Sequence, residues 1–295
     1  MTNSSIPSRA GGWLALALIT IALASTHAAD TSSTGKHFLW RVTNAPAPFY
    51  ILGSCHALRG SDYPLGAVID NAISESKRFI FEFDSEHAAE EGFAKKMRDA
   101  ATYPRGVTLK QKVRPETYAY IKKIAKTRES TYEDIKPWAI AFFMFYHPAF
   151  YNVSSYYGVE NYVLRRSGSH DVWGLETASE HIHVLSDMAD TEGEVYLLQA
   201  MVYADSEITR FSDTVAAWKS GNSQRMYEIG ALQEKQAPYL RWRLIEHRNR
   251  NWIPRIETAM KAVVPSMVVV GARHLCGPNS VISLLQARGY KIEQL

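Results

Sequence analysis

The chain has 295 residues, 46% of them hydrophobic and 21% charged, with a net charge of +3. That composition supports a folded core of domain size and excludes a disordered chain. Without a dense Lys/Arg run, the slight positive charge offers no electrostatic basis for nucleic-acid binding, and none is expected.

Arg9 precedes an apolar run from Trp13 to Ala24. About 12 residues are too few to span a bilayer comfortably and suit the apolar region of a signal peptide. Thr26-His27-Ala28 supplies a cleavage site. Residues 1–28 are therefore expected to be a signal peptide, with residues 29–295 forming a single domain in the periplasm or outside the cell. No membrane span is expected after cleavage.

Residues 37–44 and 49–53 read as two strands around a turn at Ala45-Pro46-Ala47-Pro48. A helix is expected near 65–76. Residues 78–84 alternate Phe79, Phe81 and Phe83 against Ile80, Glu82 and Asp84, which marks a strand. Strand, helix, strand predicts a parallel pair. The middle reads as helical: 115–127 opens on Pro115, and 137–146 is an apolar stretch too short for a span. Residues 158–167 form another helix and 170–176 a strand, followed by a capping box from Thr177 to Glu180. Amphipathic stretches fill 192–219 and 222–261, with breaks expected at Pro238 and Pro254. Residues 267–271 are a continuous apolar run, as in a strand buried on both faces. A helix at 279–288, a stop at Gly289 and a last strand at 290–294 complete the chain. The expected fold is α/β: a mixed sheet built from both chain ends, with a large helical insertion between them.

Two segments repeat one pattern. Phe49-Tyr50-Ile51-Leu52-Gly53-Ser54-Cys55-His56 and Val268-Val269-Val270-Gly271-Ala272-Arg273-His274 each place G-x-x-H after an apolar strand. The glycines allow a sharp turn or a close approach, and the histidines then project from carboxyl ends of strands, where sites of open parallel sheets gather. Packed as a pseudo-repeat, the two units bring His56 and His274 together. Glu82 closes the intervening strand. Two imidazoles and a carboxylate form a common divalent-metal set, and such an ion lowers the pKa of water enough to supply a nucleophile. Glu82 is equally open to the role of general base. His181 and His183, two apart on a helix, face different ways and make a poor metal pair. His147 and the aromatic run from Trp138 to Tyr157 read mainly as packing. No G-x-S-x-G, H-E-x-x-H or P-loop occurs.

The same residues resemble a known family. Leu39-Trp40-Arg41-Val42, Ile51-Leu52-Gly53-Ser54-Cys55-His56 and Phe79-Ile80-Phe81-Glu82-Phe83-Asp84 are similar to the opening of TraB/GumN proteins. Gly174-Leu175-Glu176-Thr177, Arg248-Asn249 with Trp252, and Val270-Gly271-Ala272-Arg273-His274-Leu275 resemble its central, late and closing elements. The resemblance runs from about residue 37 to 295. It implies a fold of the erythromycin-esterase and ChaN-like kind and kinship with Tiki metalloproteases. It also implies that His56, Glu82 and His274 form the metal or catalytic group. Glu176 and Arg248 would then support it, orienting ligands or binding an oxyanion, or else form a structural ion pair. Gly158-Val159-Glu160 stands where the pattern has a G-x-D-like element, so its carboxylate is one methylene longer. Cys55 and Cys276 lie beside the two motifs. In an oxidising compartment they could pair as a disulfide, or as thiolates take a soft metal.

The leading functional expectation is a metal-dependent hydrolase acting on a peptide or protein, with manganese, cobalt or zinc as its ion. The alternatives are a non-enzymatic envelope protein that binds haem, metal or a peptide through the same cleft, and a structural or regulatory protein whose site has decayed.

Overall fold

The structure is a computed structural model that describes residues 35–84, 88–89, 92–125, 132–146, 153–168, 171–205, 211–235 and 237–295. The expected signal peptide and His147 lie outside the described residues.

Six strands form one mixed sheet: β1 (Leu39–Val42), β2 (Phe49–Ser54), β3 (Arg78–Phe83), β4 (Asp171–Glu176), β5 (Ser266–Gly271) and β6 (Ile292–Gln294). Their order is β4-β3-β5-β2-β1-β6. The four strands β4, β3, β5 and β2 run parallel, and β1 pairs antiparallel with both β2 and β6. Both chain ends therefore supply the sheet, as expected. The two G-x-x-H strands are neighbours, with Gly53 opposite Val270 and Ser54 opposite Gly271. β2 and β3 are parallel but not adjacent, because β5 from the far end of the chain enters between them. Every residue of β2 and β5 is buried, which explains why both read as unbroken apolar runs.

The helices are α1 (Ala67–Glu75), α2 (Phe93–Ala101), α3 (Leu109–Lys112), α4 (Pro115–Ala125), α5 (Pro137–Tyr146), α6 (Val159–Ser167) and α7 (Ala178–Ser186), followed by α8 (Asp190–Asp205), α9 (Phe211–Lys219), α10 (Ser223–Glu234), α11 (Pro238–Arg241), α12 (His247–Lys261) and α13 (Val281–Ala287). α1, α6, α12 and α13 cover the sheet and share its core with Phe38, Ile51, Phe79 and Val269. The inserted helices bury smaller clusters of their own, one around Leu109, Ile121 and Leu197 and another around Trp138, Leu185 and Leu240. The Thr177 capping box is present: the Thr177 hydroxyl accepts from the Glu180 N–H, and Glu180 accepts from the Thr177 N–H. No helix among the described residues is long and apolar enough to cross a membrane.

The expected break at Pro238 is present, with the proline opening a new helix, but Pro254 breaks nothing. It sits on the exposed side of α12, where water can serve the carbonyl it leaves unpaired, while Trp252, Ile253, Ile256 and Met260 anchor the opposite side in the core. Between α11 and α12 a π-helical turn, Trp242–Glu246, keeps the helix continuous over 238–261. Such single π turns concentrate at functional sites.

Ile51 is wholly buried in a central strand. Replacing it with alanine is expected to cost about 2–5 kcal/mol through lost transfer energy and the cavity left behind, as measured by denaturant unfolding.

Candidate metal centre

The carboxyl ends of β2, β5, β3 and β4 deliver one residue each to a single location. His56 follows the end of β2. Glu82 is the next-to-last residue of β3, and Glu176 is the last of β4. His274 lies in a short 3-10 turn, Ala272–Leu275, directly after β5. Arg248 enters from the first turn of α12. All five residues expected from the sequence are brought together.

His274 is buried and its protonation pattern can be read from its partners. The Asn249 side-chain NH2 donates to the carbonyls of His274 (3.3 Å) and Asn279 (2.8 Å), which fixes the orientation of that amide. Asn249 Oδ1 therefore accepts from His274 Nδ1 at 2.6 Å. The proton is on Nδ1, and Nε2 carries the lone pair. Arg248 Nη1 lies 3.3 Å from that Nε2 and Glu82 Oε1 3.7 Å from it. Burial holds the His274 pKa well below its ordinary value, and nearby Arg248 reinforces this, so the ring is neutral.

His56 has the opposite environment. Its Nδ1 pairs with the Glu160 carboxylate, which also accepts from Ser54 Oγ at 2.5 Å. Burial works against a protonated ring here, but Glu160, with help from Glu82, outweighs it and pushes the His56 pKa up to about 9. The His56 side chain remains 46% exposed, the most open of the group, so water screens part of this effect. His56 Nε2 and Glu82 Oε1 lie 3.1 and 3.3 Å from the point where a Cβ on Gly271 would stand. A Cβ there would press on both groups, which would have to give by a few tenths of an ångström, and the Gly271 N–H donates to Glu82 Oε1 at 2.8 Å. The motif glycine thus serves close approach; its φ of −50° is ordinary.

Arg248 joins the carboxylates. Its Nη2 is 2.6 Å from Glu82 Oε2 and 2.6 Å from Glu176 Oε1, and its Nε donates to Glu176 Oε2 at 3.1 Å. Trp252 Nε1 also donates to Glu176 Oε2, at 3.1 Å, and the Arg248 guanidinium lies 4.7 Å from the Trp252 ring centre. Nη1 reaches back to the Leu244 carbonyl within the π turn, at 3.2 Å. Burial opposes every one of these charges, yet the pairing prevails. Arg248 is held above its usual value by Glu82 and Glu176, Glu82 well below the carboxylate range chiefly by Arg248, and Glu176 below it by His181 and Arg248.

Three further residues belong to the site. Asn249 and Glu160 each fix a G-x-x-H histidine through Nδ1, the outer support that orients metal-binding imidazoles. His181, in the first turns of α7, has Nδ1 2.6 Å from Glu176 Oε1 and 3.4 Å from Arg248 Nη2. Sequence spacing had set it aside with His183, which does point elsewhere, to Asp187. Among the described residues, Glu82, Glu176 and His181 offer donor atoms all within 4.8 Å of one another, a tighter set than the two histidines form with Glu82.

The expected Cys55–Cys276 disulfide is not present. Both residues are buried free thiols. Cys276 Sγ donates to the Ala272 carbonyl at 3.2 Å and has Arg273 and Arg241 as its charged neighbours, whereas those of Cys55 are Glu160 and Asp62. The two motif loops converge through their histidines, and the cysteines beside them turn into different surroundings. Burial pushes both thiols up, Cys276 to about 12, so neither is a thiolate near neutral pH.

A mixed sheet closed by both chain ends, with paired histidines, carboxylates and a guanidinium at its carboxyl edge, defines an α/β protein with a polar, charge-paired cluster. The TraB/PrgY/gumN family model matches residues 38–294, and the chain belongs to that family. No curated protein and no solved structure matches it.

Two outcomes follow from this geometry. The folded protein holds the His56 proton more tightly than the unfolded chain does. Its contribution to stability is therefore complete below 6.5 and lost as pH rises through about 9. His274 has the opposite sign: its contribution is present above 6.5 and lost as pH falls below that value. The denaturation midpoint of cation-free protein is expected to decline on both sides of that window, and His56→Ala to flatten the alkaline side. Separately, Glu160→Gln is expected to weaken divalent-cation binding by about 10–100-fold in calorimetric titration, because it removes the carboxylate that orients His56.

Proposed function

We propose that the protein is an exported, divalent-metal-dependent hydrolase acting on peptide bonds, with His56, Glu82 and His274 holding the ion. The observation that carries this reading is the way the two imidazoles are tethered. Each has Nδ1 committed to an oxygen acceptor, Glu160 or Asn249; His274 Nε2 lies 3.7 Å from Glu82 Oε1, and His56 Nε2 and Glu82 Oε1 both border the Gly271 Cα. That is how ligating histidines are held.

The residues present fit such an ion. Gly271 leaves the space that a Cβ would fill beside His56 Nε2 and Glu82 Oε1. Once His56 gives up its proton both imidazoles are neutral, and the carboxylates of Glu82, Glu160 and Glu176 exceed the Arg248 cation by two charges, which one divalent ion neutralises. Imidazole and carboxylate donors suit manganese, cobalt and zinc. The tighter Glu82–Glu176–His181 set is less suited, because a guanidinium nitrogen already sits among its donors.

A bound ion supplies Lewis acidity, polarising a scissile carbonyl and acidifying water near neutral pH. The rest falls to side chains. Glu176 has both oxygens engaged by Arg248, His181 and Trp252, which suits it to orientation more than to proton transfer. His181 Nδ1 is held by Glu176 and lies beside Arg248 Nη2, which fixes the ring at the edge of the group. Arg248 fixes the Glu82 carboxylate so that Oε1 faces the histidines. Export rests on the apolar segment after Arg9, and peptide substrates rest on the resemblance to Tiki metalloproteases.

The test uses mature protein purified from the exported fraction without a histidine tag, beside His56→Ala and His274→Ala. Wild type is expected to carry near-stoichiometric divalent metal and to cleave unfolded casein, and both variants to lose metal and cleavage together. Full cleavage by protein stripped of metal, or failure to take up manganese, cobalt or zinc, contradicts the proposal.

A further inference from the structure

We propose that Arg248 fills a second cation position of this site with its own guanidinium. The two oxygens of Glu82 face different partners. Oε1 meets the Gly271 N–H at 2.8 Å and His274 Nε2 at 3.7 Å, and Oε2 meets Arg248 Nη2 at 2.6 Å. The same Nη2 is 2.6 Å from Glu176 Oε1 and 3.4 Å from His181 Nδ1. One nitrogen therefore touches all three members of the Glu82–Glu176–His181 group, whose donors fall within 4.8 Å of one another. Two carboxylates and an imidazole at that spacing form a divalent-cation set, and its centre is occupied by the positive nitrogen of a tethered side chain.

Glu82 is shared by this position and the histidine pair, as a bridging carboxylate is shared in two-metal sites. Here one of the two cations is covalently part of the protein. It cannot dissociate, and its direction is set by the Leu244 carbonyl in the π turn, by Nε on Glu176 Oε2 and by the Trp252 ring. A second consequence rests on the proposed function. Arg248 Nη1 points at the lone pair of His274 Nε2. Once that lone pair is drawn to an ion, the Nη1 hydrogen loses its acceptor beside the ion, where a substrate oxygen can take it. The fixed cation then becomes a donor to the reacting group at the moment the site is loaded.

The test is ion stoichiometry, read by elemental analysis and calorimetric titration with manganese, cobalt and zinc, each added alone to the mature chain. Arg248→Ala is expected to bind one more ion per chain than wild type. The gain is expected to vanish in Arg248→Ala/Glu176→Gln and in Arg248→Ala/His181→Gln. A folded Arg248→Ala that gains no ion, or a gain that survives in both double variants, overturns the proposal. Where Arg248→Ala does not fold alone, saturating ion is expected to restore its circular dichroism by replacing the lost charge, and a chain that stays unfolded with all three ions also overturns it. Wild type that binds no ion sinks the hydrolase reading, yet a gain in Arg248→Ala still supports this one, so the two failures are distinct.

Discussion

A guanidinium buried in protein is tolerable only if nearly every N–H is answered, and the surroundings of Arg248 are built to answer them. Glu82 arrives from β3, Glu176 from β4, the Leu244 carbonyl from the π turn and His274 from the loop after β5. Removing one partner of such a buried pair typically costs about 3–5 kcal/mol, because the other charge is left without compensation. The interaction therefore does more than decorate the sheet edge. It ties α12 to the carboxyl ends of two strands and holds the Glu82 carboxylate in the one orientation that serves the histidines.

The histidines depend on the same frame but answer to different local fields. His274 is enclosed, faces a guanidinium and stays neutral. His56 is half open, faces Glu160 and holds its proton. Two copies of one motif thus acquire opposite electrostatic characters. The carboxylates of Glu82, Glu160 and Glu176 exceed the Arg248 guanidinium by two charges, and the proton on His56 offsets one of them. The π turn contributes by placing Arg248 so that it reaches Glu82, Glu176 and His274 from a single helical position.

Much of the architecture was legible in the sequence because it rests on local patterns. Unbroken apolar runs marked β2 and β5, alternation marked β3, and Thr177 with Glu180 marked the start of α7. The repeated G-x-x-H pointed to His56 and His274 because both follow strands whose pairing the repeat itself implies. The resemblance marked Glu160 and Asn249 as positions, but not the histidine that each one holds. Glu160 reaches His56 from α6, and Asn249 reaches His274 from α12, contacts made across the fold with no spacing in the chain to announce them. His181 was dismissed by pairing it with its neighbour His183, whereas its true partner is Glu176, five residues away across a strand end and a helix start. The disulfide expectation failed for a related reason: nearness of two loops does not fix which way their cysteines turn. Pro254 misled because the cost of proline in a helix falls on one carbonyl, and here that carbonyl lies on the wet side of a helix anchored by Trp252 and Ile256.

The most direct test of the central claim is a crystal structure of the mature protein grown with manganese, with anomalous scattering recorded at the metal edge. The account predicts one anomalous peak within ligand distance of His56 Nε2, His274 Nε2 and Glu82 Oε1, and Arg248 still seated between Glu82 and Glu176. A peak elsewhere, or none at a manganese concentration that saturates binding in solution, would contradict it.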